Sequence, residues 1–339
     1  MKIAQIGWAG NANWGDERMF YCLKKFFYPH ELVKFKNFQD ADKNIDKVNS
    51  CDYVLIGGGG LIIRGFNEFA KVINKIIRPI SCVGVSVEVD KINVDMMWGM
   101  ELLKRKCDFI YVRDLKSKEM FNNHYKVIVG PDITFLYPFK SKVHSGNLCA
   151  LNLRYWPWWD FEYCSKLDLL FNKLYLKFSF LYYIYPFKKW NEFNCVKIIK
   201  NYFENILPVS FYHGIYGLTD VQILSRYFAN VKRVNVLKSF RQAKYLIGMR
   251  FHSLVFSTQM GVPFISLSYE PKNINYCNEI GCPELSVSLK EYKNLKNRID
   301  YMVLNYDYIQ YRLLNYSKTS QMKCEEILTT IKNYIEKTC

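Results

Sequence analysis

The apolar positions of the first 130 residues fall in short runs: Lys2 to Ile6, Tyr53 to Ile56, Ser81 to Val85, Phe109 to Val112 and Val127 to Val129. Runs so short and so rich in Ile and Val are the pattern of strands buried on both faces of a parallel sheet. Between them, helix-length stretches of mixed polarity predict helices near Glu17 to Phe27, Asn67 to Lys75, Asp95 to Lys106 and Ser117 to Asn122. That alternation is the signature of βαβ units. Around Tyr137 to Asn147 it lapses into Pro, Lys, Ser and Gly, which reads as a linker. A second alternation follows, with strands expected at Leu148 to Leu153, Val209 to Tyr212, Val231 to Val236, Tyr245 to Gly248 and Pro263 to Leu267, and a helical tail from about Tyr311 to Lys337.

The expected architecture is therefore α/β: two doubly wound, Rossmann-like domains, 1–140 and 147–310, facing a cleft, followed by a C-terminal helix over 311–339. A chain of 339 residues is long enough for two such cores. Ligands of doubly wound sheets sit outside the carboxyl ends of the strands, so that edge is where chemistry is sought.

One stretch breaks the alternation. From Tyr155 to Phe193 the chain is dense in Trp, Tyr and Phe, with Lys166, Lys173, Lys177, Lys188 and Lys189 threaded through it. It is longer than a strand-to-helix connection needs and reads as an insertion at the cleft mouth. One reading makes it a hydrophobic subdomain packed on the second sheet. The other makes it an interfacial surface, with Trp and Tyr at lipid head-group level and Lys reaching anionic lipid.

Composition narrows the class. Half the residues are hydrophobic and 23% are charged, which is ordinary for a folded chain. The formal charge of +16 suits nucleic acid, an anionic membrane surface or small acidic substrates, and does not choose among them. The basic residues are dispersed and form no recognised nucleic-acid module, so no nucleic-acid partner is expected. No run reaches the eighteen or so apolar residues that span a bilayer, and the amino terminus reads as a first core strand and not as an export signal. A cytoplasmic location, with an option of peripheral attachment to the inner face of the plasma membrane, is expected. Eleven Cys without a Cys-x-x-Cys pair read as buried free thiols.

Three clusters carry candidate chemistry. Gly10-Asn11-Ala12-Asn13-Trp14-Gly15-Asp16-Glu17 follows the first strand and opens a helix. It is either a ligand loop with exposed amides or a helix cap with favourable first-turn charges. Its Gly spacing is not that of a dinucleotide site, and no phosphate-loop Lys follows. Gly57 to Gly60 follow the strand Tyr53 to Ile56 and are expected as a turn with bare backbone at the sheet edge. The third cluster is Gly248-Met249-Arg250-Phe251-His252-Ser253, then Gly261-Val262-Pro263, then Ser268-Tyr269-Glu270-Pro271-Lys272. Arg250, His252 and Lys272 leave the ends of successive strands, and Arg154 closes the strand Leu148 to Leu153, so several cations converge on one sheet edge.

The order of these pieces resembles the polysaccharide pyruvyltransferase family over nearly the whole chain. The family's GNxGDE-type loop is met by Gly10 to Glu17 and its Gly-rich turn by Gly57 to Gly60. Its Arg-Asp-x-x-Ser element is met by Arg113 to Ser117, and its Asp-containing strand end by Pro131-Asp132-Ile133. Most specific is the Arg-x-His, Gly-x-Pro, Ser-Tyr-x-Pro-Lys series at Arg250, His252, Gly261, Pro263, Ser268, Tyr269, Pro271 and Lys272. Two features depart from the family pattern: the aromatic insertion, and the turn after the third strand, where a glycine-containing turn is replaced by Gly84-Val85-Ser86-Val87-Glu88-Val89-Asp90.

The resemblance implies a GT-B-like shape and transfer of pyruvate from phosphoenolpyruvate to sugar hydroxyls, giving a pyruvate ketal in capsule, exopolysaccharide or cell-wall glycan biosynthesis. The acceptor would be a polysaccharide or a lipid-linked glycan. Arg154, Arg250 and Lys272 would bind phosphoenolpyruvate, a small and highly charged anion suited to Arg. His252 would act as general acid or base, and Asp16 or Glu17 would orient or deprotonate the acceptor beside Asn11, Gly15, Gly58 and Gly59. No cofactor or metal is called for, because phosphate leaves from an already activated enol. A nucleotide-sugar glycosyltransferase on the same architecture stands as the alternative.

Overall fold

In a computed structural model the protein is described over residues 1–63, 65–89, 92–140, 146–154, 189–214, 219–229, 231 and 241–339. Two compact units form: Met1–Pro138 together with Ser317–Cys339, and Phe139–Tyr316. The aromatic stretch 155–188 and nearly all of the strand expected at Val231 to Val236 lie outside the described residues.

The first unit holds six strands, β1 (Lys2–Ile6), β2 (Glu31–Phe35), β3 (Tyr53–Ile62), β4 (Ile80–Val87), β5 (Cys107–Val112) and β6 (Val127–Val129). They pair in the order β2-β1-β3-β4-β5-β6, every pair parallel. All eight residues of β4 are buried, as both faces of the sheet are covered. On one face pack Phe38, Ala41, Phe66, Ala70, Ile73, Met96, Met100 and Leu103. They come from helices α2 (Phe38–Lys43), α4 (Phe66–Lys75) and α5 (Val94–Lys106), with α3 (Ile45–Asn49) contributing Val48. On the other face lie Met19, Cys22 and Leu23 of α1 (Trp14–Phe26), joined by Cys324, Ile327, Leu328, Ile331 and Ile335. Those five belong to the last helix, Tyr306–Thr338, which begins earlier than the Tyr311 the spacing suggested.

In the second unit, β7 (Cys149–Asn152), β8 (Ile206–Pro208), β9 (Tyr245–Gly248), β10 (Phe264–Ser268) and β11 (Ser286–Ser288) pair in parallel in the order β11-β10-β9-β7-β8. The strand expected at Val209 to Tyr212 is instead Ile206–Pro208. Val209 to Tyr212 run on past its end, where Val209 N–H donates to Leu151 O and the Phe211 and Tyr212 amides turn to a carboxylate.

Both sheets reverse their winding at one point. In the first the chain goes from β1 outward to β2 and returns to β3 on the other side. In the second it goes from β7 outward to β8 and returns to β9. Such a reversal leaves a crevice at the carboxyl ends of the two central strands, because the following loops diverge to opposite faces.

Candidate active site

At the second sheet's reversal, β7 ends in Asn152-Leu153-Arg154 and β9 in Gly248-Met249-Arg250. Asn152 is fully buried and couples the strands: its Oδ1 accepts from the Arg250 amide at 3.0 Å, and its Nδ2 donates to Val209 O at 3.0 Å and to Asp220 Oδ2 at 3.1 Å. Asp220, also fully buried, receives the Arg250 guanidinium: Nε lies 2.8 Å from both carboxylate oxygens and Nη2 2.5 Å from Oδ1. The Phe211 amide donates to the same carboxylate at 2.9 Å, and the Arg250 guanidinium lies over the Tyr212 ring, 5.0 Å from its centre.

Asp220 is held by local chemistry. Thr219 caps the short helix Asp220–Leu224, its hydroxyl accepting from the Gln222 amide while Gln222 Oε1 accepts from the Thr219 amide. This is a capping box, and it fixes the residue between its two partners at the helix start.

Arg250 is the N-cap of Phe251–Met260, a helix in which every residue from His252 to Met260 is buried. Its end is set by Gly261, at φ +65°, in the left-handed region that a side chain disfavours. His252 thus sits in the first turn beside Arg250, its ring 5.6 Å from that of Phe251 and 6.0 Å from that of Phe256. The next helix, Pro271–Glu279, begins after β10 with Glu270 as N-cap and Pro at its first position, where no amide is needed. Lys272 Nζ lies 2.6 Å from Glu270 Oε2. Arg154 Nη1 donates to Tyr269 Oη at 2.8 Å, and its guanidinium lies over the same ring at 5.0 Å. Burial works against the charge of Arg154, but Tyr269 and Glu270 outweigh it and hold its pKa above the usual value. Burial likewise raises the Tyr269 phenol, with Arg154 pulling the other way.

The four residues the sequence assigned to this edge are therefore all at the ends of β7, β9 and β10. What the sequence did not reveal is that the cations arrive with partners: Arg250 with Asp220, Lys272 with Glu270, and Arg154 with Tyr269. Among the described residues the edge brings Arg154, Arg250 and Lys272 together with Asp220 and Glu270, which fixes the cations in place and moderates their charge. Two helix N-termini add partial positive charge at the same edge. Asp220 had one sequence signal, the Thr-x-x-Gln capping pattern; Asn152 had none beyond its place at a strand end.

At the first sheet's reversal, Asn13 caps α1, accepting from the Gly15 amide at 3.2 Å. The helix begins at Trp14, so Gly15, Asp16 and Glu17 form its first turn, earlier than expected. Glu17 Oε1 accepts from the Gly10 amide, closing the loop on itself, and Lys34 Nζ lies 4.0 Å from its other oxygen. Asn11 Nδ2 donates to Trp8 O at 2.9 Å and Lys36 O at 3.0 Å. The glycines expected as a turn instead belong to the strand: β3 continues through Gly57 to Gly60 and pairs with β4 beyond them. Gly57 O accepts from Gln5 Nε2 at 2.8 Å. Gly59 has φ +109°, and a Cβ there would stand 2.9 Å from Asp16 Oδ1, so the buried Asp16 carboxylate occupies the space a side chain would need. Asn11, Gly15, Asp16, Glu17, Gly58 and Gly59 are thus gathered at this edge of the first unit.

Arg113 of the Arg-Asp-x-x-Ser element donates to Asp132 Oδ2 at 2.9 Å and to Ser86 Oγ at 2.7 Å, and Asp132 Oδ1 takes the Thr134 amide and hydroxyl at 3.0 and 2.7 Å. Asp114 caps the next short helix through the Ser117 amide at 2.7 Å, and Ser117 Oγ accepts from the Val87 amide at 3.0 Å.

Two doubly wound parallel-sheet units of this kind make a GT-B-like fold. The solved structures similar to it include a Listeria monocytogenes protein assigned as a UDP-N-acetylglucosamine 2-epimerase, with 12% identity, coverage of 100% of this chain and 97% of that one, and a TM-score of 0.59. S. aureus MnaA with UDP is also similar, with 11% identity, coverage of 99% and 97%, and a TM-score of 0.57. So is the Neisseria meningitidis UDP-GlcNAc 2-epimerase bound to UDP-GlcNAc, with 10% identity, coverage of 97% and 99%, and a TM-score of 0.52. At such identities the likeness concerns the fold alone. The comparison with curated proteins gives no match. Residues 12–271 match the polysaccharide pyruvyl transferase family, and the chain belongs to it. It is accordingly a transferase of pyruvyl groups that acts on a glycan acceptor. Among the described residues no helix is long and apolar enough to cross a membrane.

Proposed function

We propose that the protein transfers the enolpyruvyl carbons of phosphoenolpyruvate to a pair of hydroxyls on one sugar, forming a cyclic pyruvate ketal. The donor binds at the carboxyl edge of the second sheet and the acceptor at that of the first. The observation that carries this reading is the pair Arg154 and Arg250 at the β7/β9 reversal, each held by a defined partner, beside two helix N-termini. A carboxylate and a phosphate on one small molecule need several fixed donors at close range, and this edge supplies them.

In the proposed reaction C3 of the enol takes a proton, C2 becomes electrophilic, one hydroxyl adds to it, and the bond from C2 to the phosphate oxygen breaks. The second hydroxyl then closes the ketal. Two hydroxyl protons are lost; one balances the C3 proton and the other the released phosphate. His252, in the first turn beside Arg250, is the proton carrier for C3, a role typically worth about 10²- to 10⁴-fold. Arg154, Arg250 and Lys272 hold the departing phosphate, and Asp16 or Glu17 draws the hydroxyl proton. Lipid-linked glycans are the acceptors that suit a chain of this charge, with the Trp- and Lys-rich stretch 155–193 attaching the enzyme at the inner face of the plasma membrane.

The test is mass spectrometry of polymeric and lipid-linked glycans incubated with the protein and phosphoenolpyruvate, alongside an assay for free phosphate. A ketal-bearing product with equimolar phosphate is expected. Product formed only with nucleotide sugars would replace this reading by glycosyl transfer. Sedimentation with anionic vesicles, reduced by Lys-to-Gln changes at Lys173, Lys177, Lys188 and Lys189, tests the attachment.

A further inference from the structure

We propose that Asn273 is a positioning residue for the donor: together with Asn152 it grips the peptide group that joins Met249 to Arg250, and so sets where Arg250 stands at the sheet edge. The inference rests on the reading of that edge as the donor side. Asn273 is the third residue of the helix Pro271–Glu279 and is fully buried. Its Nδ2 donates to Met249 O at 2.8 Å, across 24 residues of chain. The N–H of the same peptide group, that of Arg250, donates to Asn152 Oδ1 at 3.0 Å. One peptide group is thus held at both ends by buried carboxamides, one at the end of β7 and the other on the helix after β10.

The neighbouring backbone is held as well. The Met249 amide donates to Asn152 O at 3.1 Å, and Arg250 O accepts from the Ser253 amide at 2.8 Å and from Ser253 Oγ at 2.6 Å. With the peptide groups before and after Arg250 both fixed, the direction in which its side chain leaves the backbone is fixed too. Asp220 holds the guanidinium at the far end. Root and tip therefore have separate partners. Asn273 comes from the helix that carries Lys272, so its bond also ties the start of that helix to the start of Phe251–Met260 and sets the spacing of the two cation-bearing helix ends.

Packing alone gives no reason for Asn at this place. Asn is a poor residue inside a helix, because its side chain competes for backbone groups, and burying a carboxamide costs free energy unless it is hydrogen-bonded. An apolar side chain of similar size would join the buried Tyr276 and Cys277 of the same helix without that cost. Asn273 Oδ1 accepts no hydrogen bond among the described residues, so the donor at Nδ2 is what the side chain contributes. That donor goes to the carbonyl directly before Arg250. A binding constellation tolerates displacements of only about 0.5 Å or 10–20°. A guanidinium at the end of a long side chain magnifies any rotation at its root, and the two carboxamides oppose that rotation.

The experiment uses the full chain with Asn273→Leu, Asn273→Ser, Arg250→Lys and the double variant Asn273→Leu with Arg250→Lys. Leu has no donor, and the Ser hydroxyl is too short to reach Met249 O. Amide exchange followed by mass spectrometry is expected to quicken about fivefold or more over residues 249–253 in Asn273→Leu, with the strands of both sheets unchanged. The kcat/KM for phosphoenolpyruvate is expected to fall about tenfold or more, while the acceptor KM stays within about twofold. In the Arg250→Lys background the same change is expected to lower kcat/KM by less than about threefold, since a residue that acts through Arg250 has little left to position. Effects that simply multiply overturn the proposal, as does unaltered exchange over 249–253. Faster exchange across the whole second sheet overturns it too, by marking a structural role. If Asn273→Leu does not fold, Asn273→Ser replaces it in every comparison; if neither folds, the core itself needs Asn273 and the proposal falls. If the unmodified protein releases no phosphate from phosphoenolpyruvate with any acceptor, the donor reading fails by itself, and the exchange comparison decides separately whether Asn273 holds the peptide group before Arg250.

Discussion

Asp220 engages the guanidinium of Arg250 with both carboxylate oxygens, from a position with no solvent exposure, while three further donors, the Phe211 and Tyr212 amides and Asn152 Nδ2, converge on the same carboxylate. The pair holds Arg250 rigidly at the head of its helix. Among the described residues Nη1 of Arg250 makes no hydrogen bond, so it is the part of the fork left to meet a ligand.

Removing the carboxylate leaves a mostly buried guanidinium uncompensated. Asp220→Ala is expected to destabilise the protein by about 3–5 kcal/mol, the usual cost of breaking a buried pair. Urea denaturation measures it. A loss under 1 kcal/mol would mean that the pair is not fixed as described.

Arg250→Lys replaces a planar fork by a single ammonium and cannot keep the bonds from Nε and Nη2 together. Turnover is expected to fall by at least about tenfold although the charge is retained. Steady-state phosphate release checks this, and near-normal turnover would remove Arg250 from the site.

His252→Ala is expected to lower kcat by about 10²-fold or more and to leave the binding of phosphoenolpyruvate, read as a shift in Tm, largely in place. Loss of binding with unchanged kcat would make His252 a ligand group and not a proton carrier.

Tyr269→Phe removes the hydroxyl that holds Arg154 Nη1 and keeps the ring over which the guanidinium lies. A hydrogen bond to a charged group is worth about 1.5–3 kcal/mol. The expected result is a KM for phosphoenolpyruvate raised about tenfold with circular dichroism unchanged; an unaltered KM would separate Arg154 from donor binding.

Glu17→Ala and Asp16→Ala should differ. Glu17 accepts from the Gly10 amide, so its loss is expected to cost about 1 kcal/mol of stability. Asp16, packed against Gly59, is expected to lose activity by more than stability. Paired denaturation and turnover measurements distinguish the two, and identical profiles would refute the separate roles.

Much of this was legible in the sequence. Strands β1, β6 and β9 coincide with the apolar runs that pointed to them, because the strands of a parallel sheet covered by helices are mostly apolar. The loop after β1 and the Arg-x-His block after β9 were also readable, since the carboxyl ends of parallel strands follow directly from the strands themselves. The short edge strands β2 and β11 were not. Glu31–Phe35 mixes exposed, half-buried and buried positions, and Ser286–Ser288 is mostly Ser, so neither shows the continuous apolar run of a central strand. Gly57 to Gly60 misled for a related reason. Glycine is disfavoured in a strand by local preference, but here a Cβ at Gly57, Gly59 or Gly60 would run into Val83, Asp16 or Glu88.

By itself the sequence determined the fold class, the family, and the set of cations brought to the second sheet's edge, because these depend on periodicity and on residues placed directly after strands. Tertiary structure alone decided how those cations are spent. Asp220 meets Arg250 from 30 residues away, and Glu88 is brought to Gly60 and Arg113 by the packing of three neighbouring strands. No local pattern encodes such pairings, since the partners become neighbours only when the sheet order is set, and it is the buried pairing that fixes the charge and direction of each group.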